Sequence, residues 1–116
     1  MNNTFGISDP SFNCICDTIK KFDDVERAVI FGSRAKGSHK KGSDIDIAIY
    51  GSQLKNITAI NLLGKLNEEV PIPYFVDVVA PQFTDNIELV KHIERVGIKF
   101  YENVKRSKEI PKKNLV

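Results

Sequence analysis

The chain has no apolar run near the ~20 residues a helix needs to cross a bilayer, which excludes a helical membrane span. Its start, Met1-Asn-Asn-Thr-Phe-Gly, has neither a basic n-region nor an apolar h-region. A signal peptide is therefore not expected, and the expected location is the cytoplasm. Cysteine is scarce: Cys14 and Cys16 stand two apart within a predicted helix. Helix neighbours at that spacing point to different sides, so neither a disulfide nor a shared metal is expected. Buried, idle thiols are the expectation. No repeat or low-complexity segment is present. The spacing Gly32-x-x-x-x-Gly37 matches a P-loop, but Ser38-His39 stands where Lys-Ser/Thr is required, so that reading fails.

The 116 residues suffice for one domain with a single modest core. The net charge of +2 hides an uneven distribution. The stretch Gly32–Ser43 holds Arg34, Lys36, Lys40 and Lys41 and no acid. The tail, residues 103–116, holds Lys105, Arg106, Lys108, Lys112 and Lys113 against Glu109 and is expected to be flexible and basic, leaving 1–102 as the domain. The remainder of the chain is net acidic. Positive charge this local argues for an anion site more than for general nucleic-acid affinity.

Ser8-Asp9-Pro10 is a helix-start signal, and Phe12, Ile15, Cys16, Ile19 and Phe22 recur on one helical face. A strand is predicted over Val25–Phe31, stopped by Gly32, with a short helix from Ser33 to Lys36 and a loop to Ser43. Asp44–Tyr50 reads as a second strand. Asn56–Val70 reads as a helix with Ile57, Ile60, Leu63 and Leu66 inward. Tyr74–Val79 reads as a third strand. Thr84 or Asp85 can cap a last helix through Val96, with Ile87, Val90 and Ile93 on one face and Gly97 as C-cap. Ile98–Tyr101 is a short edge strand. The fold class is α/β (α+β): a mixed sheet of three to four strands flanked by helices, with Ala28–Phe31 and Ile45–Ile49 central.

The chemistry concentrates between Phe31 and Ile49. Strand alternation puts Asp44 and Asp46 on one side and Ile45, Ile47 and Ile49 on the other, with same-face positions roughly 6.5–7 Å apart. Carboxylates so spaced can converge on two divalent ions about 4 Å apart, the separation used in phosphoryl transfer, and magnesium suits oxygen ligands. Asp77 interrupts the apolar run Tyr74–Val79, and a lone buried carboxylate there costs several kcal/mol unless paired, about the range for buried polar groups. On a neighbouring strand it completes a triad. Gly32-Ser33 follows the first strand, where glycine lets backbone approach a phosphate. Ser33 can bond a phosphate oxygen, and Arg34, Lys36, Lys40 and Lys41 can neutralise a triphosphate. Ser43 either caps the strand or assists the metal shell. His39 is expected to be solvated, and His92 to be a surface or half-buried residue.

Phe31-Gly32-Ser33, a ten-residue spacer, then Asp44-Ile45-Asp46-Ile47, followed by a later strand carboxylate, resembles the signature of the DNA polymerase beta-like nucleotidyltransferase superfamily. Within it the chain is most similar to the stand-alone minimal nucleotidyltransferases of the MntA antitoxin kind. The resemblance implies magnesium-dependent transfer of a nucleoside monophosphate from an NTP, ATP by preference, to a hydroxyl. Asp44, Asp46 and Asp77 would hold two Mg2+ ions, with Gly32, Ser33, Arg34, Lys36, Lys41 and Ser43 around the nucleotide. It further implies a helical HEPN-type toxin as partner and hetero-oligomer, adenylylated on a tyrosine. The alternatives are an antitoxin acting by contact alone, or transfer to a small molecule, for which the short chain supplies no acceptor pocket.

Overall fold

The computed structural model describes residues 5–103. The order is α1 (Asp9–Lys20), β1 (Arg27–Phe31), α2 (Ser33–Lys36), β2 (Ile45–Tyr50), α3 (Thr58–Glu68), β3 (Val76–Val79), a 3-10 turn (Pro81–Phe83), α4 (Ile87–Val96) and β4 (Ile98–Glu102). The basic tail beyond Asn103 lies outside the described residues. Among the described residues no helix is long and apolar enough to cross a membrane.

The strands form one mixed sheet in the order β3-β2-β1-β4. β1 runs antiparallel to β2 and β4, while β2 and β3 are parallel. The expected strands are therefore present, trimmed at their starts. β4 is an edge, as expected.

The core lies mainly on one sheet face. Ala28, Ile30, Ile45, Ile47, Ile49, Val76 and Val78 point there and meet Ile15 and Ile19 of α1 and Leu62 and Leu66 of α3. α1 begins as its capping signal predicts: the Ser8 hydroxyl accepts the Ser11 N–H at 3.4 Å, and a proline lies in the first turn. Its cysteines are free. Burial, then the nearby Asp17 charge, push the Cys16 thiol up to about 11 against the opposing pull of Lys20, so it stays protonated and inert.

The opposite face carries one helix. Val29 and Phe31 of β1, Ala48 of β2 and Ile93 of α4 make a small second cluster, with Leu89, Val96, Tyr50 and Val79 at its margin. Alternation places Asp46 and Asp77 on this half-covered face. That asymmetry positions the site.

Both later helices keep only part of the expected faces. In α3 Leu66 is buried and Leu63 packs against the core as expected, joined by Ala59 and Leu62, whereas Ile57 and Ile60 are 52% and 66% exposed. The start is set by Asp24, whose Oδ2 accepts the Lys55 amide at 3.0 Å and the Thr58 hydroxyl. In α4 the cap is Asn86, not Thr84 or Asp85; its Oδ1 accepts the Leu89 N–H at 3.0 Å. Ile87 is exposed, and the inward stripe is Leu89, Ile93 and Val96. Gly97 ends α4 as its C-cap, as expected, in extended backbone (φ −67). What requires glycine there is space, since a Cβ would run into Val29 and the Ile93 carbonyl.

Candidate active site

Asp46 is the centre. Register pairs it with Phe31 of β1 on one side and with Asp77 of β3 on the other. Directly opposed residues on adjacent strands share a face, so the two carboxylates are cross-strand neighbours. Asp44 stands just before β2, exposed at the strand's entry. The Asp46 carboxyl is raised above its ordinary range, first by burial, then by the like charges of Asp77 and Asp44, against an opposing pull from His92. Asp46 thus feels both of the other aspartates.

Gly32 completes the floor. Its backbone (φ 75, ψ −154) belongs to a region open almost only to glycine. An added Cβ would sit 2.5 Å from Asp46 Oδ2, so the carboxylate lies directly over the Gly32 backbone. Ser33 opens the single turn of α2 beside it, and its carbonyl accepts the Ser38 N–H at 3.0 Å.

A divalent cation fits this donor set. Neither Asp46 nor Asp77 forms an ion pair with a lysine or arginine among the described residues, so a facing pair of acids stands uncompensated. No group of three or more His, Cys, Asp or Glu among those residues is gathered tightly enough to make a ready-formed cage. Magnesium tolerates that: it is held by one or two carboxylates and fills its shell with waters and substrate phosphates.

The basic loop divides into two roles. Arg34, expected at the phosphates, is 2% exposed and turned inward. Its Nε and Nη2 donate to the Ser43 carbonyl at 3.2 and 2.7 Å, and Nη1 donates to the carbonyls of Phe5 at 2.9 Å and Gly6 at 3.3 Å. The guanidinium also lies 5.0 Å from the Tyr74 ring centre. With its fork committed to backbone carbonyls, Arg34 is a strut and not a phosphate ligand. Ser43 likewise closes the loop, its hydroxyl accepting the Lys40 N–H at 2.9 Å while its carbonyl holds Arg34. Lys36, Lys40 and Lys41 remain exposed. His39 is not solvated as expected: its ring abuts Gly6, and Nδ1 is buried without a partner.

The polymerase beta nucleotidyltransferase family profile matches residues 13–106, a span that takes in Gly32, Ser33 and all three aspartates. The chain belongs to this family. Solved structures agree on the fold of this nucleotidyltransferase domain. A toxin–antitoxin complex determined with AMP-PNP is 23% identical, with a TM-score of 0.64 over 89% of this chain and 82% of that one. The MntA–HepT toxin–antitoxin structure is 20% identical, with a TM-score of 0.61 over 93% of this chain and 84% of that one. Among curated proteins the sequence finds no match.

His92, expected to be a surface or half-buried residue, is half-buried beside the candidate site. It sits edge-on to Phe31, ring centres 6.3 Å apart, with its charge acting on Asp46. The signal for this placement was present: Leu89, His92, Ile93 and Val96 are spaced i, i+3, i+4, i+7, the true inward face of α4.

Proposed function

We propose that this chain is a magnesium-dependent nucleotidyltransferase that moves AMP from ATP to a hydroxyl of a partner protein, a tyrosine of a helical HEPN-type toxin, and so acts as an antitoxin. The carrying observation is the Asp46–Asp77 cross-strand pair, with Asp46 lying over Gly32, in a chain of this family. Asp44 and Asp46 would hold the metal, which when bound supplies charge neutralisation at the phosphates. Gly32 and Ser33 form the phosphate floor. Lys36 and Lys41, joined by Lys40, are the exposed cations that face the triphosphate, while Arg34 and Ser43 hold the loop that carries them. The acceptor oxygen attacks the α-phosphorus, the bond to the bridging oxygen breaks, and pyrophosphate leaves. The hydroxyl proton passes to Asp77, whose raised neighbour Asp46 shows how poorly this site tolerates bare negative charge.

Two observations support the donor and the acceptor. One similar structure holds AMP-PNP, an ATP analogue, and the similar structures are toxin–antitoxin complexes.

A second reading, neutralisation by contact alone, is favoured by the groove between α3, β3 and α4. Ile60, Val79, Phe83 and Leu89 line it, no charged residue borders it, and Ile60 and Phe83 are exposed. The two readings separate in cells expressing the protein encoded beside this one. Catalysis predicts that D44A/D46A loses protection against that protein's toxicity at unchanged expression. Full protection by the double variant would establish contact as the essential function.

A further inference from the structure

His92 carries an inference that rests on the nucleotidyltransferase reading and extends it. Three features fix where it stands and what it offers. α4 is seated on the sheet by Leu89, Ile93 and Val96, which share the helical face of His92. The ring meets Phe31 edge-on, at an interplanar angle of 83°, and Phe31 is the register partner of Asp46. The imidazole is thus held on the α4 wall of the same half-covered face that carries the aspartates, beside the Phe31-Gly32 step.

Its hydrogen pattern follows from its neighbour. Arg95 Nη2 lies 3.4 Å from His92 Nδ1. A guanidinium can only donate, so Nδ1 is the acceptor, and the neutral ring carries its hydrogen on Nε2. Among the described residues Nε2 has no hydrogen-bond partner. The α4 wall therefore presents an N–H donor, backed by an arginine, to a site whose floor is acidic. A donor in that place suits an anion bound between wall and floor.

We propose that His92 is a substrate-contacting residue whose Nε2–H donates to a phosphoryl oxygen of the nucleotide held above Asp46 and Gly32, with Arg95 as the positioning residue that sets its tautomer. Among the described residues His92 is also the one group that pulls the Asp46 carboxyl down against burial and its acidic neighbours, which places the ring within electrostatic reach of the floor. Lys91 and Glu94 on the same helix are exposed.

The test is equilibrium binding of AMP-PNP in magnesium, by calorimetry, to the full chain and four variants of unchanged thermal stability. A hydrogen bond to a charged group contributes about 1.5–3 kcal/mol, so H92L should weaken binding roughly ten- to hundredfold. In H92Q the amide nitrogen reaches the place of Nε2, and binding should return to within about threefold of the native chain. In H92N the amide reaches only the place of Nδ1, and binding should stay weak. R95A should weaken binding less than H92L, about two- to fivefold, through loss of the tautomer preference. Native binding that H92L and H92N leave unchanged overturns the inference and spares the enzyme reading. H92Q as weak as H92L overturns the donor role. If the native chain binds no AMP-PNP with magnesium, the enzyme reading itself fails. Should H92L not fold, the contrast between H92Q and H92N decides alone.

Discussion

Replacing Gly32 by alanine strikes both halves of the site at once. The native backbone at φ 75, ψ −154 is strained for any residue with a Cβ, at about 1–3 kcal/mol. The new methyl would also lie 2.5 Å from Asp46 Oδ2 and 3.3 Å from its Cγ, so the carboxylate must swing away or β1 must shift. Together these set a loss of roughly 2–4 kcal/mol, the upper part of what single substitutions cost. At about 4–8 °C per kcal/mol for a domain near this size, melting should fall by roughly 8–30 °C. Gly37 is the control. It also has positive φ (79), yet nothing lies within 4 Å of its Cβ position, so G37A should lose only the left-handed penalty of about 1–2 kcal/mol. A double-mutant cycle isolates the contact: in a D46A background G32A should cost at least ~0.5 kcal/mol less than in the native chain, the lower bound for residues in contact. Urea denaturation measures the native chain and all four variants. Equal losses for G32A and G37A, together with no coupling to Asp46, would refute the picture of a carboxylate seated on the Gly32 backbone.

Further expectations concern charge. Because Asp46 is raised, its native carboxyl binds a proton more readily than the unfolded one, so its contribution favours the fold at acidic pH and is lost as pH rises from the ordinary value through the raised one. D46N should remove that slope and, by relieving a like-charge cross-strand pair, stabilise the metal-free protein by on the order of 0.5 kcal/mol; urea titrations at acidic and neutral pH check both signs. Asp24 should behave oppositely. Burial pushes its carboxyl up, but bonds from the Thr58 hydroxyl and Lys55 amide, with the Lys55 charge, outweigh burial and hold it low. Its contribution is present above the ordinary value and lost as pH falls through the lowered one, and T58V should erase about 1 kcal/mol of it, a typical single hydrogen bond. Arg34 and the exposed lysines should part company. R34A leaves the Ser43, Phe5 and Gly6 carbonyls without their donor and should cost about 3 kcal/mol or more, whereas K36A and K41A should stay within ~0.5 kcal/mol in stability yet weaken calorimetric ATP binding.

What was legible in the sequence is what local chemistry compresses. Gly32-Ser33 and Asp44-Ile45-Asp46 sit close in the chain, so the family could be read directly, and an acid inside Tyr74–Val79 has few physical excuses, so Asp77 joined them as a candidate. The four-strand mixed sheet followed from where apolar runs stop at glycine and proline. The helix faces followed only in part. Leu62-Leu63 and the run from Ile87 to Ile93 support two stripes, and only packing against the sheet picks Leu62 and Leu89 as inward. Choosing the wrong stripe hid the place of His92 beside the site. Arg34 was misread for a different reason: its partners Phe5 and Gly6 lie 29 and 28 residues away in sequence, and nothing near Arg34 announces them.

The central claim is that the α-phosphoryl group of ATP, with its nucleoside, ends on a protein hydroxyl. The direct measurement incubates the chain, magnesium and the protein encoded beside it with ATP labelled on either the α- or the γ-phosphate. Label from the α-position should appear on the partner and label from the γ-position in pyrophosphate, and both should vanish with D44A/D46A. Transfer of the γ-label, or α-label on the partner that persists in the double variant, would contradict it.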